Sequence, residues 1–364
     1  MRRRGIIGIA AGVAGLVAAG AAVGVATEKY AIGRVRSRPD SEADQPFGQL
    51  HPDRTRVVIT DDGIPLDVEE VGPADAPLTV VFAHGLALAL GSWHYQWLGL
   101  ADMTRPRLRM VFYDQRSHGS SGRAPAGTVT IDQLAEDLYR VLAEVVPSGP
   151  VVLVGHSMGG MAVMSLVDRH PELFGPRVIG VALISTSTGR LSEVSFGLPA
   201  VTARLRAPIV PLVLRAMRNR PELIERGRKF GADLAWLLTR HYSFGSSDVS
   251  PALVDYVEQL IAKTPVDVVA EFTPALTAHD KLGSLSRLAS LEILIVVGDK
   301  DLLTPEEHSR RMAQLLPHAE LLVLQDAGHL AMMERPALVN LRLRAFLHRA
   351  ARAAYGGSAS RGAR

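Results

Sequence analysis

Val151-Val152-Leu153-Val154-Gly155-His156-Ser157-Met158-Gly159-Gly160 is the stretch on which the reading of this chain turns. A continuous apolar run of this kind suits a strand covered on both faces. Gly-x-Ser-x-Gly follows at once, and residues 161–170 behind it carry helical periodicity. A strand that passes into a helix through so short a turn forces Ser157 into a strained backbone conformation. Side chains two positions before and two after would clash, which accounts for Gly155 and Gly159. The turn lifts a hydroxyl above the sheet edge and aims a helix N-terminus at it, where developing negative charge is stabilised. The pattern points to a serine nucleophile.

Working outward, strands and helices alternate. Strand candidates are 56–60, 66–71, 78–83, 108–113, 151–154, 178–184, 291–297 and 321–324, and helical patterns lie at 131–146, 161–170, 305–316 and 336–351. The first two strands read as a hairpin around Asp61-Asp62-Gly63. The later ones are continuous apolar runs, as in parallel strands buried on both faces. The order predicts an α/β fold, a doubly wound, mostly parallel sheet of about eight strands with flanking helices. The alternation lapses over residues 187–290, where helical pieces at 199–218, 221–239 and 251–263 are expected and no strand. Prolines open several of them, in keeping with their first-turn preference. An insertion there would sit over the C-terminal edge of the sheet as a helical lid. The core is thus divided into 55–186 and 291–351, with 28–54 read as a linker and 352–364 as a disordered tail.

Arg2, Arg3 and Arg4 precede Gly5 to Thr27, 23 residues without a charge. As a helix this run spans about 34 Å, enough to cross a bilayer core. It reads as a membrane anchor or as a secretory signal, and its length favours the anchor. The Arg-rich start argues for a cytoplasmic N-terminus and a catalytic domain outside the membrane. Cys is absent, which excludes thiol catalysis, disulfides and Cys-ligated metals. A net charge of +3 over 364 residues, without a dense basic patch, argues against a nucleic-acid partner. No metal-ligand spacing and no glycine-rich dinucleotide turn is visible, so no cofactor is expected.

With these residues in hand the chain resembles the α/β-hydrolase superfamily over about residues 55 to 350. The resemblance rests on His84-Gly85 after the third strand, on Asp114-Gln115-Arg116-Ser117-His118-Gly119-Ser120-Ser121 after the fourth, and on the Ser157 turn. Gly298-Asp299-Lys300-Asp301 with Pro305, and finally Gly328-His329, complete it. A serine hydroxyl is a weak nucleophile at neutral pH and needs a base. The resemblance assigns that role to His329, in preference to His84, which reads as architectural, and His156, which reads as structural. It assigns the orienting carboxylate to Asp301 rather than Asp299; Asp326 reads as a turn residue. It further implies an oxyanion hole from the backbone N–H groups of Met158 and Leu86. The loop 114–121 reads as scaffold, its Arg116 suited to bracing the turn.

The expected reaction is hydrolysis of a carboxylic ester, with a small-molecule or lipid ester as substrate. Trp93, Trp97, Met158, Met161 and Trp236 suggest an uncharged acyl pocket. The same three residues could serve an amide, a peptide N-terminus, a carbon–carbon bond or a perhydrolase reaction, or the chain could be an inactive binding member. An imidazole base predicts activity rising with pH near 6.5, the ordinary value for such a group.

Overall fold

The computed structural model describes residues 33, 40–194, 214–222 and 232–361. The expected anchor or signal segment, most of the expected helix at 199–218 and residues 223–231 of the next lie outside the described residues. Residues 214–219 are helical. Among the described residues, no helix is long and apolar enough to cross a membrane.

Eight strands form one sheet: β1 (Arg54–Ile59), β2 (Pro65–Val71), β3 (Leu78–Ala83), β4 (Leu108–Tyr113), β5 (Val151–His156), β6 (Val178–Ile184), β7 (Glu292–Gly298) and β8 (Glu320–Leu324). Their spatial order is β1-β2-β4-β3-β5-β6-β7-β8. β1 pairs antiparallel with β2, and β2 with β4; every other pairing is parallel. The helices are α1 (His94–Leu100), α2 (Ile131–Val145), α3 (Met158–Arg169), α4 (Ala232–Ser243), α5 (Pro251–Lys263), α6 (Val266–Ala278), α7 (Glu306–Leu315), α8 (Ala331–Glu334) and α9 (Pro336–Arg361).

Alternation along the strands divides the core in two. In β3, Leu78, Val80 and Phe82 face the layer that contains Trp97 of α1 and Phe346 of α9. Val81 and Ala83 face the layer containing Leu138 of α2 and Val163 of α3. The connections after β3 and β5 therefore leave toward opposite faces, and a crevice opens between the carboxyl ends of these adjacent strands. α2 is a well-marked amphipathic helix whose start is capped by Thr130, its hydroxyl accepting from Gln133 N at 3.0 Å.

Several boundaries depart from expectation for physical reasons. α3 begins at Met158 rather than 161, because the turn after β5 hands the chain to the helix without a spacer. α9 runs to Arg361, beyond the point where a disordered tail was expected, in line with its run of helix-favouring Ala and Arg from 350 to 354. α6 was not expected. It carries Pro274 in its interior, which removes a backbone donor and masks the helical pattern.

Residues 40–50 are likewise more than a featureless linker. Phe47 stacks on Tyr256 of α5 with ring centroids 4.7 Å apart and packs against His94 at 4.8 Å. Tyr95 Oη donates to Glu42 at 2.8 Å, and Ala252 N donates to Asp40 at 2.9 Å. This segment is docked on both α1 and α5.

Candidate active site

Ser157 sits between β5 and α3 with φ 50° and ψ −118°, a conformation that costs a side-chain-bearing residue of order 1–3 kcal/mol. It is pinned on both sides. Its N–H donates to Ile184 O at 3.0 Å, and its carbonyl accepts from Thr186 Oγ1 at 2.7 Å and Met161 N at 3.1 Å. The two glycines are required by close approach. A Cβ on Gly155 would fall 2.6 Å from Gly160 Cα, and one on Gly159 would fall 2.1 Å from Ala83 O. The latter contact also shows how near the end of β3 lies to the serine: a Cβ on Gly85 would be 3.2 Å from Ser157 Cβ.

The His84-Gly85-Leu86 loop and the start of α3 thus face each other across the β3/β5 crevice. The first-turn N–H groups of α3, Met158 among them, have no intrahelical acceptor. Leu86 is half-buried beside them and precedes Ala87, which has φ 59°.

Asp301 and His329 are brought together although 28 positions apart. His329 Nδ1 lies 2.9 and 3.0 Å from the two carboxylate oxygens of Asp301. A carboxylate only accepts, so Nδ1 carries the proton and Nε2 is left as the basic nitrogen. The carboxylate is anchored in turn. Oδ1 accepts from Leu303 N and Thr304 N at 2.9 Å each, and Oδ2 from the Thr304 hydroxyl at 2.8 Å. Burial alone would raise Asp301, but the facing His329 and the Thr304 bonds outweigh it and hold the carboxyl below its ordinary range. Both residues are buried, while Ser157 is half-exposed. The Ser157 hydroxyl is in no hydrogen bond among the described residues, and such bonds are often long before substrate arrives.

The rival candidates have other employment. His84 is fully buried. Its Nδ1 donates to Gly85 O at 2.8 Å, its Nε2 accepts from Gln115 N at 3.0 Å, and burial pushes it down to about 4. His156 Nε2 donates to the His329 carbonyl at 3.0 Å, and burial, then the neighbouring His329, push it down to about 3. Asp299 accepts from Ala327 N at 3.3 Å, and Asp326, with φ 54°, pairs with Lys300 and Arg335. Arg116 is buried between Asp137 of α2 and Asp62 of the β1–β2 turn, a bidentate clamp on each. It braces the scaffold by tying α2 to the β1–β2 turn.

The expected acyl pocket needs correction. Trp93, Trp97 and Trp236 lie in one core layer, and Met158 and Met161 in the other, on opposite faces of the sheet. Trp236 Nε1 donates to Asp255 at 2.7 Å, and Trp97 stacks on Phe112. All five side chains are buried in the core, and Trp93 lies edge-on to His156, the residue before the serine, with ring centroids 6.4 Å apart. A cavity of about 360 Å³ is lined by Arg190, Glu193, Pro305, His308 and Arg311 among others; it borders the Asp301 loop and includes neither Ser157 nor His329. Among the described residues, no group of three or more His, Asp or Glu is placed to hold a metal.

The described parts of the insertion between β6 and β7 contact the loops that follow β3 and β4 and the loop that carries His329. Tyr256 of α5 donates to Gly91 O at 3.0 Å, and Asp267 and Glu271 of α6 pair with Arg123. The end of α4 meets the loop before His329, where a Cβ on Gly328 would fall 2.6 Å from the Phe244 carbonyl carbon. Sequence spacing announced neither these contacts nor Thr304 as the residue that anchors Asp301.

The sheet order, the strand–turn–helix serine and the crevice beside it define an α/β architecture, and a family model described as alpha/beta hydrolase fold matches residues 79–336. The chain belongs to the alpha/beta hydrolase family. Among solved structures it is similar to a thermophilic esterase from Thermogutta terrifontis, 25% identical with a TM-score of 0.64, over 82% of this chain and 99% of that one. Among curated proteins it is 33% identical over 116 residues to the Mycobacterium tuberculosis protein named "Probable oxidoreductase EphD", 32% of this chain and 19% of that one. It is 35% identical over 115 residues to a bifunctional esterase/perhydrolase of Acinetobacter calcoaceticus, 32% of this chain and 40% of that one. The chain therefore spans less than half the length of these two curated relatives.

Proposed function

We propose that this protein is a serine hydrolase that cleaves carboxylic esters, with Ser157 as nucleophile, His329 as base and Asp301 as its orienting acid. The observation that carries the reading is the His329 Nδ1–Asp301 contact at 2.9–3.0 Å, which leaves a bare Nε2 on the loop that packs beside the Ser157 turn. In the proposed reaction Ser157 Oγ attacks the ester carbonyl as its proton passes to His329 Nε2. The oxyanion rests on the N–H groups of Met158 and Leu86. His329 then returns the proton to the departing alcohol, leaving an acyl group on Ser157. Water, deprotonated by the same nitrogen, releases the acid. Each oxyanion donor contributes about 3–4 kcal/mol in comparable sites. The esterase among the solved structures and the esterase/perhydrolase among the relatives support ester substrates.

We further propose that the 187–290 insertion serves as a lid and that residues 5–27 anchor the chain with its catalytic part outside the membrane; the chargeless run of 23 residues supports the anchor. A membrane setting would favour lipid-like esters. The decisive assay is p-nitrophenyl esters of graded acyl length. Wild-type hydrolysis is expected on at least part of the series, and Ser157→Ala is expected to lose about 10⁶-fold in kcat. A Ser157→Ala chain as active as wild type, or no cleavage at any length, contradicts the reading. Extraction that requires detergent checks the anchor.

A further inference from the structure

We propose that Glu334 is a positioning residue, through which the insertion fixes the backbone that carries His329; this rests on the reading of His329 as the base. Glu334 closes α8 and is 9% exposed. Its carboxylate accepts from three backbone N–H groups on two separate segments. Oε1 accepts from Gly245 at 3.0 Å and Ser246 at 2.6 Å, and Oε2 from Gly245 at 3.0 Å and Gly328 at 2.7 Å. Gly328 immediately precedes His329, and Gly245–Ser246 follow α4 after Phe244. On the other side of His329, Leu330 N donates to Ser243 O at 2.8 Å. His329 is therefore bracketed in sequence by bonds that involve the 243–246 corner of the insertion.

The two segments touch backbone to backbone. A Cβ on Gly245 would fall 2.5 Å from the Ala327 carbonyl carbon, and one on Gly328 would fall 2.7 Å from Gly245 N. There is no slack for the corner to shift without moving the loop. Asp301 fixes the ring of His329; Glu334 fixes its main chain. The brace needs an ionised carboxylate, because only a group with two accepting oxygens and no donor satisfies three N–H groups at once. A glutamine would aim an NH₂ at one of them.

A misplacement of about 1 Å at a reacting group costs about 100-fold in rate. Glu334→Gln is thus expected to lower kcat and the rate of fluorophosphonate labelling by about 10- to 100-fold, with KM within about threefold of wild type. A bond that served stability alone would leave the rate per folded molecule unchanged. The measurement is labelling rate and ester kinetics on the full chain, with folding checked by circular dichroism. A wild-type chain that takes no label defeats the reading of Ser157 and His329. A labelled wild type with a folded Glu334→Gln at the wild-type rate defeats the brace alone. Amide hydrogen exchange on the wild type gives a test independent of any variant: Gly245, Ser246 and Gly328 are expected to be protected together. Exchange of any one of them at the rate of an open loop overturns the proposal.

Discussion

The turn that carries Ser157 and the insertion between β6 and β7 are held by different physics. At the turn, backbone packs on backbone. Gly155 meets Gly160, Gly159 meets Ala83, and the sheet fixes Ser157 through Ile184. These constraints come from the strand, the helix and the neighbouring strands, with the Thr186 hydroxyl just past β6 adding one more. The described parts of the insertion also depend on long-range side-chain contacts, Trp236 to Asp255, Tyr256 to Gly91, Arg123 to Asp267 and Glu271, Glu334 to the 245–246 corner, beside the backbone contact of that corner with 327–330. Geometry that follows from chain covalency leaves a spacing pattern. Geometry that follows from distant side chains does not.

The contrast can be broken at several points. Beyond the serine itself, a large effect is expected at Asp301→Asn. It keeps the shape of the acid but offers His329 Nδ1 a donor, so the ring turns or takes the wrong tautomer. In a comparable site this costs about 10⁴ in kcat. Ester kinetics at saturating substrate check it, and a loss below about tenfold would show that Asp301 does not orient the base.

Next comes a pair of glycine variants. Gly159→Ala drives a Cβ to 2.1 Å from Ala83 O and is expected to cost about 3 kcal/mol or more, or to abolish folding. Gly283→Ala, in the insertion, meets nothing within 4 Å and is expected to stay within about 0.5 kcal/mol of wild type. Thermal unfolding of the two variants measures the difference between the regions directly; equal effects would erase it.

A further effect is a pH dependence, to which several buried histidines contribute together. Burial holds His84, His118 and His156 neutral, pushed down to about 4, 3 and 3, against about 6.5 in an unfolded chain. The unfolded state binds more protons below that value. Stability is therefore full above about pH 6.5 and falls as pH drops toward 4, by about 1.4 kcal/mol per pH unit for each histidine. Unfolding midpoints between pH 8 and 5 check this. A flat profile would mean that these histidines are protonated inside the fold.

Most of the sheet was legible in the sequence. β3, β4 and β6 fall where their apolar runs place them, because a strand buried on both faces has to be continuously apolar. The hairpin at Asp61-Asp62-Gly63 and the insertion site were legible for similar local reasons. Asp301 and His329 were approached only through resemblance, since no periodicity brings residues on two different loops together. Three things were hidden. α6 was masked by Pro274. The docking of Phe47 on Tyr256 joins segments distant in the chain. The role of Trp93, Trp97 and Trp236 as core filling was misread, because an aromatic in a helix looks the same in sequence whether it lines a pocket or a layer.

The proposed catalysis requires Ser157 to become acylated with His329 as its proton acceptor. Rapid mixing with p-nitrophenyl acetate, acid quench and peptide mass spectrometry measure this most directly. The expected result is a burst of one nitrophenolate per chain, with one acetyl group on the peptide bearing Ser157; His329→Ala should remove both. Turnover without a burst and without label on that peptide, under conditions where deacylation is slow, or an acetyl group on another side chain, would contradict it.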